Sequence, residues 1–474
     1  MKKNFIYNVI YQMLILILPL ITVPYVSRRL GADGIGIYSY TYSIAYYFML
    51  IAMLGLNNYG NRTIAKVRDD KKKLSKEFCS IYSMQLITSI SMVVLYYIYI
   101  CVFDNKYKMI AIIQSIYVIS TIFDINWFYF GIEKFKLTIT RNSIIKILSL
   151  IFIFIFVKDN NDLWKYVLIL SGSMLISNVI IFSFLPKYVK KEKIGFKDVV
   201  KHFKPCFILF LPVIAVSIYK IMDKIMLGIM TSVEEVGYYE NAEKIIQVPL
   251  AIITAMGTVM LPKASNMISN NKEKELKNLI SKTMPFIMFL AFPMTIGVFA
   301  ISKDFSLLFF GEEFRKSGIL MQFLAVTIIF LSWGNVIRTQ YLIPKERDKE
   351  YVISAFIGAI VNFIINLILI PNLSSIGATI GTIVAEFFVM FYQSWAVRKE
   401  LNLREYIKGS SRFLVTSIIM FFIVIYIGKF INNITIKLTI QIIVAIIIYG
   451  ILNIKYILSN INFIPKLRRS EVYK

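Results

Sequence analysis

Ionised side chains are scarce within the apolar runs of this 474-residue chain, and their spacing limits the chemistry open to it. Lys220 and Asp223 stand three apart with Lys224 beside them. Glu240 and Lys244 stand four apart with Glu243 between, and single charges fall at Lys146 and Glu386. Partners three or four apart share a helix face, so these groups can pair locally or form a charged lining. The cations Lys146, Lys220, Lys224 and Lys244 suit an anionic headgroup, as do Arg28 and Arg29 at the end of the first apolar run. Asp223 and Glu243 are candidates for groups that switch partners, and Glu386 for a group that titrates or ligates a cation. Asp124 and Asn126 precede Trp127-Phe128-Tyr129, a polar pair beside rings that suits contact with a sugar. Plainer roles compete with each: local pairing, helix-end stabilisation, a buried helix–helix hydrogen bond, or a long side chain reaching for water.

The elements that hold these residues are set by composition. Hydrophobic residues make up 57% of the chain and charged ones 17%, with mean hydropathy +0.67. Soluble proteins average about 45–50% apolar and about 25% charged. Runs of about 20 apolar residues, the length that crosses the hydrocarbon layer, recur throughout. The expected spans are 5–27, 35–57, 78–103, 109–130, 138–157, 165–186, 205–228, 236–262, 281–302, 317–342, 351–370, 375–397, 412–428 and 438–457. From Tyr351 to Ala385 there is no charge at all; one helix of that length would reach about 52 Å, too long for one crossing. Pro371-Asn372-Leu373-Ser374-Ser375 is the turn that divides it. The fold class is therefore an all-α integral membrane bundle of about 14 helices. A lone charge at the bilayer centre costs about 2.5–3.5 kcal/mol, so each intramembrane charge needs a partner or a task.

The formal charge of +25, from 53 Lys+Arg against 28 Asp+Glu, is mostly an orientation signal. Alternate gaps hold 37 of the 53 basic residues, seven of them from Arg62 to Lys76, three from Lys134 to Arg141 and seven from Lys187 to Lys204. By the positive-inside rule those gaps, and both termini, are cytoplasmic. Lys2-Lys3 precedes an apolar run too long for a signal peptide, and Ser27-Arg28-Arg29-Leu30 offers no cleavage site. A soluble nucleic-acid binder is excluded. The short outer gaps disfavour a membrane glycosyltransferase or polysaccharide polymerase, and no G-x-x-x-x-G-K-[ST] supports an ATP-driven pump. Cys79, Cys101 and Cys206 read as apolar fillers, not a disulfide framework or metal site, and His202 is the single histidine.

Two segments repeat. Leu30-Gly31 leads to Gly36-Ile37-Tyr38-Ser39, and Leu227-Gly228 leads to Gly237-Tyr238-Tyr239. Six spans per repeat is an even number, which predicts two parallel lobes around a central cavity. The expected divisions are 1–200 for the N-lobe, 201–400 for the C-lobe, and 401–474 for an appended helix pair with a basic tail. Prolines at 19, 24, 205, 212, 249, 285 and 293 fall in or at the ends of spans, where they can kink helices.

The stretch from Leu18-Pro19-Leu20 through Ser27-Arg28-Arg29-Leu30-Gly31 and Gly36-Ile37-Tyr38-Ser39 resembles the opening of the Wzx-type polysaccharide transporters of the multidrug/oligosaccharidyl-lipid/polysaccharide superfamily. Trp127 to Phe135, Asp223 to Gly228, Val236 to Tyr239, and Thr339 to Thr382 are similar to later sections of that family. The resemblance covers most of residues 1–400. It implies a flippase, not an enzyme, that moves an undecaprenyl-diphosphate-linked oligosaccharide repeat unit across a bacterial plasma membrane for O-antigen or capsule export. By that resemblance, cationic residues neutralise the diphosphate, polar and aromatic ones meet the sugar, and an H⁺ or Na⁺ gradient drives the cycle. No cofactor is expected. Partners would be the lipid-linked anionic oligosaccharide, membrane lipids, and polymerase and assembly proteins, with no nucleic acid. A lipid II flippase and a cation/drug antiporter of the same superfamily remain alternatives; a drug exporter favours an acidic cavity, against which the lysines and arginines argue.

Overall fold

A chain in hydrocarbon must satisfy its backbone internally, and all described secondary structure is helical. The computed structural model describes residues 2–103 and 106–460, with side chains from Leu18 to Ser459. The basic tail expected beyond residue 460 and the side chains of Lys2 and Lys3 lie outside these. In order, the helices are α1 (Lys2–Met53), α2 (Leu56–Val67), α3 (Lys71–Val102), α4 (Lys108–Ser120), α5 (Asn126–Gly131), α6 (Phe135–Phe156) and α7 (Leu163–Ser183). A short α8 (Phe196–Val200) precedes α9 (Phe203–Met230), α10 (Val233–Ser269), α11 (Glu273–Phe310), α12 (Arg315–Leu324) and α13 (Thr327–Ile337). The last are α14 (Asp348–Leu373), α15 (Ser375–Val397), α16 (Leu403–Gly428), α17 (Ile434–Leu452) and α18 (Ile454–Asn460).

Twelve described helical stretches are long and apolar enough to cross a membrane, and a thirteenth is a pair bent by 43°. The first two expected spans share α1, whose 52 residues would reach about 78 Å if straight. Non-helical Gly31 (φ 66°) divides it. Three details differ from the sequence expectation. The span over 109–130 is broken: α4 ends in a 3₁₀ turn at Thr121–Phe123, Asp124 and Ile125 leave helical geometry, and α5 begins at Asn126. The span over 317–342 is the bent pair, closing in a π-helical turn over Arg338–Leu342. The turn at 371–375 shrinks to Ser374 (φ 51°), with Pro371 inside the last turn of α14.

The described chain forms two compact units, Met1–Asn241 with Asn362–Ala378, and Ala242–Val361 with Thr379–Lys474. Within the first, the two repeated segments pack on each other backbone to backbone. A Cβ on Gly36 would lie 1.7 Å from the Val233 carbonyl oxygen, and one on Gly237 would lie 2.1 Å from the Ala32 carbonyl oxygen. No side chain fits in either gap. Beside this contact, Glu235 Oε2 accepts from the Ser375 backbone N (3.1 Å) and hydroxyl (2.5 Å), capping the start of α15.

In the second unit, charges outside the spans tie the connections together. Arg347 donates to Glu350 (2.7 Å) and Glu400 (2.8 Å), and Lys345 donates to Glu273 (2.6 Å). Burial raises the Glu400 carboxyl, but the Tyr341 hydroxyl with Arg347 and Lys345 outweighs it and holds the group below its ordinary value.

Overpacking a closed contact costs about 1–3 kcal/mol. Gly36→Ala is therefore expected to lower the melting temperature of the purified protein by several degrees. Gly172→Ala, with nothing within 4 Å of the added methyl, should melt close to the parent. Equal melting of the two variants would refute the close approach.

Candidate functional site

The glycine contact sets the opening turns of α10 against α1 and α9, and a buried polar cluster results. Lys224 Nζ lies 2.6 Å from Glu240 Oε2, with only 13% and 12% of the side chains exposed. The Ser39 hydroxyl donates to the same Glu240 oxygen at 2.9 Å, and Asn241 Nδ2 donates to the Ser27 hydroxyl at 2.8 Å. Asp223, the residue before Lys224, is fully buried. Its Oδ2 accepts from the Tyr239 hydroxyl at 2.9 Å, and its Oδ1 accepts from Asn366 Nδ2 at 2.6 Å. Asn366 also donates to Asn362 Oδ1 at 3.2 Å. Asn366 Oδ1 and Asn362 Nδ2 are buried with no hydrogen-bond partner, a costly state that a bound polar group or ion would relieve. Four elements thus converge on one acid and one ion pair.

This arrangement differs from the local pair that the i,i+3 spacing of Lys220 and Asp223 suggests. Lys220 is exposed and forms no ion pair with a described residue, whereas Lys224 turns inward to Glu240. Sequence reasoning tracked charges and missed the neutral members, Ser39, Tyr239, Asn362 and Asn366. The signal was present: Asn362 and Asn366 are an i,i+4 amide pair inside the charge-free run.

A second cluster forms at the broken span. Gln85 of α3 donates to the freed carbonyls of Thr121 (2.7 Å) and Asp124 (2.9 Å), while its oxygen accepts from Trp127 Nε1 (2.9 Å). Asp124 Oδ1 accepts from the Asn126 side chain at 2.6 Å. Arg141, 7% exposed, donates to Asn126 Oδ1 (2.9 Å) and the Ser177 carbonyl (2.8 Å). Asp124 and Asn126 therefore brace a helix break with Arg141, which the sequence reading left among the connection charges. Trp127 is fully buried in the first unit's core and offers no ring face to a sugar in this conformation.

Arg28 and Arg29 are exposed, Arg29 sitting 5.5 Å over the Tyr25 ring. Lys146 is half-buried on α6. Glu243, Lys244 and Glu386 belong to the second unit, Glu386 buried at 5%.

Breaking a buried ion pair by deleting one partner costs roughly 3–5 kcal/mol. Lys224→Met should accordingly lower the unfolding midpoint in detergent markedly, and Lys224→Met/Glu240→Gln should recover most of the loss. A single variant as stable as the parent would show that the pair is not a buried anchor.

Comparison with known proteins fits this architecture. The chain is 23% identical over 405 residues to a Shigella dysenteriae protein named as an O-antigen transporter, covering 84% of this chain and all of the relative. It is 22% identical over 396 residues to the capsular polysaccharide biosynthesis protein CapF of Staphylococcus aureus, covering 82% and 97%. In fold it is similar to the lipid II flippase MurJ in an inward closed conformation, with TM-score 0.78, 18% identity and coverage of 97% and 100%. An inward-facing multidrug transporter of the MATE family matches at TM-score 0.56, 15% identity and coverage of 81% and 98%. The polysaccharide biosynthesis protein family matches residues 1–268, more than half of the chain, and the protein belongs to that family.

Proposed function

We propose that the protein is a secondary transporter that flips an undecaprenyl-diphosphate-linked oligosaccharide repeat unit from the inner to the outer leaflet of a bacterial plasma membrane, for cell-surface polysaccharide export. The observation that carries this reading is the buried cluster around Asp223 and Lys224–Glu240 in a chain of the polysaccharide biosynthesis family. A transporter cycle needs a group whose occupancy changes the relative energy of two conformations. Asp223, hydrogen-bonded by Tyr239 and Asn366 beside the unsatisfied oxygen of Asn366, is such a group. A proton, or a small cation with oxygen ligands, changes its charge where the surroundings are apolar and the effect is large. Asp223 and Glu386 are the coupling acids in this reading, with Glu243 nearer the helix start.

The cargo is a diphosphate, and the cations Arg28, Arg29, Lys146, Lys220, Lys224 and Lys244 are its candidate contacts. Arg141 is added to them as a buried guanidinium, the side chain best shaped for two phosphate oxygens. Lys224 is bound to Glu240 in this conformation, so in this reading the ion pair opens when cargo arrives. The orientation, with both termini cytoplasmic, follows the basic connections.

Deletion of the gene followed by lipid extraction tests the cargo. Accumulation of one lipid-linked repeat unit supports the reading, accumulation of lipid II replaces the cargo with a peptidoglycan precursor, and no accumulation of either refutes it. Coupling is tested in proteoliposomes. Asp223→Asn is expected to bind the cargo lipid within about twofold of the parent yet to lose gradient-driven transport. A variant still driven fully by the gradient would remove Asp223 from the coupling role.

A further inference from the structure

The second unit carries a groove of about 540 Å³, lined by residues of α11, α13, α15 and α16 among others, with Trp333, Phe391, Trp395, Ile407 and Leu414 in its wall. That volume falls within the range of about 300–1,000 Å³ typical of sites for one small ligand. Its hydroxyls are already used. Ser394 accepts from Trp333 Nε1 at 3.0 Å, Ser410 donates to the Tyr406 carbonyl at 2.8 Å, and Ser411 donates to the Lys408 carbonyl at 2.9 Å. The wall is otherwise apolar except for Arg398, the one charged residue that lines it.

Arg398 is placed for an anion. Its guanidinium lies 4.0 Å over the Trp395 ring, and Nη1 donates to the Trp395 carbonyl at 2.6 Å. The fork is thereby held in place while most of its N–H groups stay available. Arg398 is exposed and makes no ion pair with a described residue. Exposed Lys399, Arg404 and Lys408 follow within ten residues. The groove itself lies along helices that are long and apolar enough to span, so its surrounding medium is acyl chain.

We infer that this groove is a binding site for an anionic phospholipid of the bilayer, one acyl chain lying against Trp333, Trp395 and Leu414 and the phosphate on Arg398. A linear chain fills a narrow apolar groove that would otherwise be empty, and a planar guanidinium matches phosphodiester oxygens in two-point contact. The guanidinium of Arg398, which makes no ion pair with a described residue, favours a headgroup of net negative charge over a zwitterion, whose own cation offsets its phosphate. This lipid is a resident of the membrane and not the transported cargo, so the inference stands independently of the flippase reading.

Intrinsic fluorescence tests it in the full chain without cargo. Two of the four tryptophans line the groove, Trp127 is fully buried, and Trp164 is replaced by Phe to remove its lipid-exposed signal. The protein is reconstituted in phosphatidylcholine containing a growing fraction of brominated-chain phosphatidylglycerol or brominated-chain phosphatidylcholine. Phosphatidylglycerol is expected to reach half-maximal quenching at about fivefold lower mole fraction, the preference that one basic residue near the surface supplies. Arg398→Gln should bring the two curves together, Arg398→Lys should retain part of the preference, and Leu414→Phe, which adds bulk without a further indole, should narrow the groove and weaken the preference. Coincident curves in the parent, or an unchanged preference in Arg398→Gln, would overturn the proposal.

Discussion

The contact between two backbones at Gly36 and Gly237 governs the first unit. Neither glycine tolerates a side chain, because the carbonyl of Val233 occupies one Cβ position and that of Ala32 the other. Such an approach brings α1 and the start of α10 close enough for short polar side chains to meet, which is why Ser39 reaches Glu240 and Asn241 reaches Ser27. Polar bonds of this kind are satisfied inside the unit and not by lipid. A methyl group at either glycine would push apart the partners of these two bonds between α1 and α10.

Around that contact the structure shows a consistent treatment of broken backbone. At two breaks, one within a span and one between α14 and α15, a side chain takes over the freed groups. Gln85 serves the break at Thr121–Ile125, and Glu235 serves the start of α15. Both are long polar side chains from a neighbouring helix, and both satisfy two groups. The energy involved is that of leaving a buried donor or acceptor unmade, about 1–3 kcal/mol per group, so these residues belong to the fold as much as the apolar core does.

Much of this was legible in the amino-acid sequence. Apolar run length gave nearly every helix, because hydrophobic burial in lipid leaves few other conformations. The repeated Leu-Gly and Gly-Tyr segments were legible as a repeat, but their packing on each other at Gly36 and Gly237 was not. The breaks were not legible. The run from Met109 to Phe130 is apolar enough to read as one helix, and what interrupts it is Gln85, more than twenty residues away. Asp223, Lys224 and Glu240 were singled out by their charge, and Lys224 and Glu240 do meet across the short turn between their helices. The neutral partners Ser39, Tyr239 and Asn366 were not legible, because their pairing depends on tertiary geometry. Arg141 was counted with the connection charges because sequence position alone cannot tell a buried guanidinium from a solvated one.

The bond from Asn366 to Asp223 spans 143 residues, and the first unit is completed only by residues 362–378. At about 5–20 residues per second of synthesis, roughly 7–30 s separate the emergence of the acid from that of its amide donor. During biogenesis the nascent bundle therefore carries Asp223 without Asn366 while the intervening helices are still being threaded into the bilayer. The order of translation, rather than the finished packing, fixes when this acid can settle, and makes residues 362–378 the last piece on which a correctly assembled first unit waits.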